Sequence, residues 1–179
     1  MIVAACKKIA ENTEIRLRLI LVPHEPTSQN IDYIKQKIQN TLVEKTILLS
    51  EILECEQISK NDLADKIVIV DSIGKLLKLY GIADMAYIGG AFGVGVHSIT
   101  EPAGYGIPLV TGTNCFNSPD SKELLQQNAL AIIENSAMLY DWFIKIYDVE
   151  ERKKCGIAAQ NYIKNNCGST KIIAQALAC

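Results

Sequence analysis

No apolar run in this sequence approaches the roughly 18 residues that a membrane-spanning helix needs. Residues 1–5 are too short for the apolar region of a signal peptide, and Lys7 and Lys8 follow at once. Net charge is almost absent: 18 Lys and Arg stand against 20 Asp and Glu, a formal −2. That balance supplies no electrostatic attraction to nucleic acid or to an anionic membrane. The six cysteines, Cys6, Cys55, Cys115, Cys155, Cys167 and Cys179, form no C-x-x-C pair, and with two histidines, His24 and His97, no zinc framework is visible. Scattered thiols of this kind read as reduced and mostly buried, in a cytosolic chain. Neither G-x-G-x-x-G nor a P-loop is present, and no repeat or low-complexity linker appears.

What is there is a globular composition. Of 179 residues, 49% are apolar and 21% charged, enough for one domain with a substantial core. Short β-rich runs alternate with helical patterns. Strands are expected at residues 16–22 (a buried one), 46–49 (weak), 67–71, 85–88 and 108–111, and residues 129–133 form a further apolar run. Residues 31–38 show helical spacing after a cap at Ser28, and an acidic, ambiguous stretch runs to Leu63. Further helices fall at 76–80, ended by Gly81, from about Glu101, at 121–127, and from Ser136 onward with breaks near Asp148 and Gly168. Strands separated by helices imply a Rossmann-like parallel sheet with helices on both faces. The expectation is a single α/β domain over residues 1–179 with a helical tail from about 135. The chain opens on a helical stretch, residues 1–12, where a Rossmann-like unit normally starts with a strand. It therefore reads as a fragment whose N-terminal edge lies elsewhere.

Candidate chemistry gathers at strand ends. Residues 88–108, I-G-G-A-F-G-V-G-V-H-S-I-T-E-P-A-G-Y-G-I-P, follow a strand and open a helix. Open α/β sheets bind ligands at that carboxyl edge. Gly89, Gly90, Gly93 and Gly95 permit positive φ and close backbone approach, and the helix N-terminus offers unpaired N–H groups to an anion. A glycine-rich surface turn is the plainer reading of the same residues. Ser98-x-x-Glu101 matches a capping box, but that would put Pro102 at the fourth helical position, where a backbone N–H is needed. Thr100 as N-cap removes the conflict and leaves Glu101 able to accept two ribose hydroxyls. His97 can donate to a phosphate or sugar carboxylate, or bond a loop carbonyl. Two further strand-end turns are residues 71–75, D-S-I-G-K, whose backbone near Gly74 is open to a flat ring, and residues 23–26, P-H-E-P. The three loops are expected to converge on one sheet edge.

At these residues the sequence resembles a known family. D-S-I-G-K-L-L-K-L-Y-G-I-A-D-M-A-Y-I-G-G (71–90) and H-S-I-T-E-P-A-G-Y-G-I-P-L-V (97–110), with V-P-H-E-P (22–26) and the 114–117 turn, look like the C-terminal domain of 3-deoxy-D-manno-octulosonic acid (Kdo) transferase. The likeness covers about residues 15–135. It implies the C-terminal half of a GT-B glycosyltransferase, an inverting enzyme moving Kdo from CMP-Kdo to a lipid A precursor in lipopolysaccharide core biosynthesis. It also implies CMP contacts at Pro23 and His24, at Ile73, Gly74 and Lys75, and at Ser98, Ile99, Thr100 and Glu101. The phosphate and sugar would lie against Gly89, Gly90, Gly93, His97 and Asn117. No metal or cofactor is implied beyond CMP-Kdo itself as donor substrate.

The resemblance puts the general base, a glutamate, and a membrane anchor in an N-terminal acceptor domain outside this sequence. No catalytic residue is then expected here, and the fragment alone would be soluble and inactive while the full enzyme works at the cytoplasmic side of the inner membrane. Three positions depart from the family pattern: Lys75 stands where many members have Glu, Ser98 replaces a frequent Asn, and His24-Glu25 replaces Arg-His. A UDP-sugar transferase or UDP-sugar 2-epimerase would need the same glycine loop and Glu101 but would select uracil. A stand-alone nucleotide-binding module is the non-enzymatic alternative.

Overall fold

A computed structural model describes residues 1–42, 45–55, 63 and 66–177, the side chains of 169–172 excepted. They form two compact units, residues 1–79 with 135–140, and residues 80–134 with 141–179.

In the first unit, strands β1 (Ile20–Leu21), β2 (Lys45–Leu48) and β3 (Lys66–Ile69) make a parallel sheet in the order β1-β3-β2. The continuous apolar run Ile67, Val68, Ile69 and Val70 suits a middle strand covered on both faces, and all four are buried. Helix α2 (Ser28–Gln39) covers the sheet with Ile31 and Ile38, and α1 (Ile2–Asn12) adds Cys6 to the same cluster. Burying Ile38, Ile67 and Ile69 contributes roughly 2 kcal/mol each. Two expectations change here. The strand predicted over 16–22 is the short edge strand β1, not a buried one. Its ladder extends one residue back, where Val68 N–H donates to the Leu19 carbonyl at 3.0 Å, but Arg16 and Arg18 point to solvent and the intervening residues are half-buried. The N-cap of α2 is Thr27, not Ser28: its hydroxyl accepts from the Asn30 N–H at 3.3 Å. Ser28 takes helical geometry and is exposed. The acidic stretch contains α3 (Leu49–Glu54); residues 56–62 lie outside the described residues.

In the second unit, β4 (Ala86–Ile88), β5 (Leu109–Thr111) and β6 (Leu130–Ile132) form a parallel sheet in the order β4-β5-β6. The central β5 is fully buried, and its one polar side chain is satisfied: the Thr111 hydroxyl donates to the Ile88 carbonyl at 2.9 Å. Helices α5 (Thr100–Gly104) and α6 (Pro119–Gln126) of this unit, and α4 (Leu76–Tyr80), whose residues 76–79 belong to the first unit, stand where the helical spacing puts them. The tail runs as α7 (Ser136–Tyr147), whose residues 136–140 belong to the first unit, then α8 (Val149–Asn166) and α9 (Ser169–Leu177), breaking at Asp148 and Gly168 as expected. Asp148 caps α8 by accepting from the Glu150 and Glu151 N–H groups, each at 3.0 Å.

Helix α8 backs the short helix α5. A Cβ on Gly156 of α8 would lie 2.1 Å from the Gly106 carbonyl oxygen, so only glycine allows this approach. Further along, the Tyr162 hydroxyl donates to Asp120 at 2.6 Å, tying α8 to α6. Of the described cysteines, Cys6, Cys115 and Cys155 are buried as expected, whereas Cys55 and Cys167 are exposed.

Candidate functional site

In the first unit, the 23–26 and 71–75 turns come together. His24, Glu25, Pro26 and Thr27 on one side and Asp71, Ser72, Ile73 and Lys75 on the other line an open pocket. It lies beyond the C-terminal ends of β1 and β3, where a parallel sheet presents its ligand-facing loops. The first turn is held from α2, whose Asn30 side chain donates to the Glu25 carbonyl at 2.9 Å. The second needs its glycine: Gly74 has φ +77°, and a Cβ there would meet nothing within 4 Å. Its main chain is therefore open, as a turn reading a flat ring through backbone groups requires. Ile73 beside it is 84% exposed, an apolar side chain offered to solvent.

Asp71 roots this turn. Its carboxylate accepts from the Ser50 backbone N–H at 3.1 Å and from the Ser50 hydroxyl. Burial pushes its pKa up, but the side-chain and backbone hydrogen bonds from Ser50 and the charge of Lys35 outweigh that and hold it below the ordinary value. Neither Ser50 nor Asn30 was expected to serve the site. Ser50 is 21 positions from its partner, and nothing local in the sequence signals that pairing.

In the second unit, the glycine loop after β4 closes on itself. Gly93 N–H donates to the Gly90 carbonyl at 2.8 Å, and His97 N–H donates to the Gly89 carbonyl at 3.2 Å. Of the four glycines, Gly90 and Gly95 take positive φ, +91° and +153°, whereas Gly89 and Gly93 do not. Two asparagines brace the loop. The Asn114 side chain donates to the Gly93 carbonyl at 2.7 Å, and Asn117 Oδ1 accepts from the Val96 N–H at 3.3 Å. Asn117 thus holds the loop's shape, a role separate from the phosphate contact expected of it. The His97 ring lies over Gly90, with Nε2 3.1 Å from where a Cβ would stand, and the residue is exposed.

The loop delivers Ser98 and Ile99 into α5. The N-cap is Ile99, not Thr100, and no side chain caps it. Buried Ile99 anchors the helix start by packing, so Thr100 becomes the first helical residue. Pro102 then sits third, where its missing N–H is harmless, because the first bond of the helix runs from Ala103 N–H to the Ile99 carbonyl at 3.2 Å. Glu101 itself is exposed, and no side-chain capping bond forms at this helix start. Its charge reaches Tyr80, whose pKa is pushed up to about 12 by burial and then by Glu101. Among the described residues no group of three or more His, Cys, Asp or Glu can hold a metal, and no helix is long and apolar enough to cross a membrane.

Parallel sheets with glycine-bearing turns at their carboxyl ends define an α/β fold of the Rossmann-like kind. The comparisons agree with that class. No family model matches the chain. Its fold matches the C-terminal CMP-Kdo binding domain of WaaA from Acinetobacter baumannii, at TM-score 0.72 and 24% identity over 89% of this chain and 79% of that one. In sequence it is 26% identical over 160 residues to the 3-deoxy-D-manno-octulosonic acid transferase of Haemophilus influenzae, covering 86% of this chain and 35% of the relative. The enzyme of the same name from Aquifex aeolicus is 26% identical over 86% of this chain and 40% of its own length. A bifunctional glycosyltransferase/methyltransferase of Fusobacterium nucleatum is 29% identical over 76% of this chain and 20% of its own length. Kdo transferases are therefore homologues of this chain over most of its length, and the chain spans 20–40% of these three relatives.

Proposed function

We propose that residues 1–179, helical tail included, serve as one nucleotide-sugar-binding domain, the CMP-Kdo-binding half of an inverting Kdo transferase that acts in lipopolysaccharide core biosynthesis. The observation that carries this reading is Glu101. It is an exposed carboxylate at the start of α5, relieved of any capping duty and directly downstream of a braced glycine loop. That is the disposition a ribose-binding acid needs, and it lies within a sequence that Kdo transferases match.

Within the first unit, Pro23, His24 and the turn Ile73, Gly74 and Lys75 offer a pyrimidine base main-chain groups that Gly74 leaves open. Within the second, Ser98, Ile99, Thr100 and Glu101 offer partners for a ribose, and Gly89, Gly90, Gly93, His97 and Asn117 suit a phosphate and sugar. Fixed N–H dipoles and His97 stabilise the negative charge that grows on CMP as the sugar leaves. Deprotonation of the acceptor hydroxyl, on a lipid A precursor at the inner membrane, belongs to the part of the relatives' length that this chain does not span. The chain alone then binds the donor nucleotide weakly and transfers nothing.

Calorimetry with CMP, UMP and ADP tests the reading. CMP is expected to bind most tightly, and Glu101→Ala to weaken it by about tenfold. Preference for UMP, or CMP affinity unchanged in Glu101→Ala, contradicts it.

A further inference from the structure

On the reading that the 73–75 turn holds the base, we propose that Ser50 and Asp71 form a positioning clasp that sets the turn's geometry and thereby the choice of base. Ser50 is the second residue of α3, just beyond β2, and Asp71 lies two residues beyond the end of β3. Leu48 and Ile69 pair across the two strands, so the sheet itself delivers both residues to the same end. One residue then occupies both carboxylate oxygens: the Ser50 N–H donates to Oδ1 at 3.1 Å and its hydroxyl to Oδ2. Such two-point attachment fixes the orientation of the Asp71 side chain more tightly than one bond can.

The turn has little else to hold it. Gly74 has open space where a Cβ would be, and Ile73 is 84% exposed, so packing does not fix the outer part of the turn. Its conformation is set at its root, at Asp71, and on its helical side, where Leu79 N–H donates to the Lys75 carbonyl at 3.2 Å. A base read through main-chain groups is sensitive to small rotations of those groups, because hydrogen bonds weaken steeply with angle. Loosening the root therefore costs discrimination between bases before it costs the fold. A side chain that merely caps α3 predicts the reverse: weaker folding and unchanged discrimination.

The test is calorimetry of the 179-residue chain with CMP and with UMP, beside thermal unfolding, for wild type, Ser50→Ala, Ser50→Thr and Asp71→Asn. Wild type is expected to prefer CMP. Ser50→Ala should lower CMP affinity by about tenfold and erase most of the preference over UMP, while Ser50→Thr, which keeps both donors, stays within about twofold of wild type. Asp71→Asn can reverse the second bond, its amide donating to the Ser50 hydroxyl, but it loses the carboxylate charge that strengthens both bonds, and should lose part of the preference for CMP even if Ser50→Ala folds poorly. Folded Ser50→Ala and Asp71→Asn chains with wild-type preference would overturn the clasp and leave the site reading intact. An equal loss for CMP and UMP would also overturn it. A wild-type chain with no preference for CMP over UMP would sink the site reading, and the clasp with it.

Discussion

A Cβ on Gly90 would stand 2.3 Å from the carbonyl oxygen of Gly95, and Gly90 itself has φ +91°. The two glycines are the points at which the loop after β4 folds back on itself, and both the space and the backbone angle exclude a side chain at Gly90.

Gly90→Ala should therefore destabilise the chain by about 2–4 kcal/mol, combining a backbone clash with a left-handed conformation. Gly93→Ala is the internal control. Its φ is not positive and its nearest obstacle, the Gly90 carbonyl oxygen, is 3.4 Å away. It should cost less than about 1 kcal/mol. Urea unfolding of the two variants checks the contrast, and equal losses would show that the loop is not folded as described.

Glu101 caps no helix N–H and is exposed, so its removal should leave the fold alone. Glu101→Gln and Glu101→Ala are expected within about 0.5 kcal/mol of wild type in stability, the usual range for surface substitutions. The same variants should release part of the upward shift on Tyr80, because Glu101 is the second cause of it after burial. Absorbance titration of tyrosinate from pH 9 to 13 reads that change. A helix-capping role would instead appear as a stability loss near 1 kcal/mol.

Alkaline pH should unfold the chain through two tyrosines. Tyr162 is raised from 10.0 to about 12, first by its hydrogen bond to Asp120 and then by burial, and Tyr80 reaches about 12 by burial and the Glu101 charge. Both pKa values are higher in the folded state, so the folded chain holds protons that the unfolded chain has lost. Their stabilisation is complete below about pH 10 and disappears between about pH 10 and 12. Tyr162→Phe removes one of these protons. It should lower stability at pH 7 by about 1–2 kcal/mol, through loss of the Asp120 bond, and make the decline above pH 10 shallower. Denaturant melts at pH 7, 9, 10 and 11 measure both effects.

Much of this architecture was legible in the residues. A run of four β-branched residues, 67–70, marked β3 and the shorter run 109–111 marked β5, and Asp148 and Gly168 marked the breaks in the tail, because caps and glycine stops act within one turn of chain. The Pro102 argument named Thr100 where the cap is Ile99, yet it rested on proline's missing N–H, which either cap places in the first turn. What local pattern cannot give is long-range pairing. The strand expected over residues 16–22 is the two-residue edge strand β1, which only the pairing of Ile20 with Val68 reveals. The Ser50–Asp71 and Gly156–Gly106 approaches join residues 21 and 50 positions apart, and no periodicity spans such distances. The fold was legible from sequence; the bracing of the site was not.

The assignment of CMP to these residues is tested most directly by two-dimensional amide NMR of the 15N-labelled chain during titration with CMP. Shifts are expected to concentrate at Gly74 and Lys75 in the first unit and at Gly90, Ser98, Thr100 and Glu101 in the second, with UMP producing weaker changes at Gly74 and Lys75. Saturating CMP that leaves both groups unmoved, or that shifts only residues remote from them, would contradict the account.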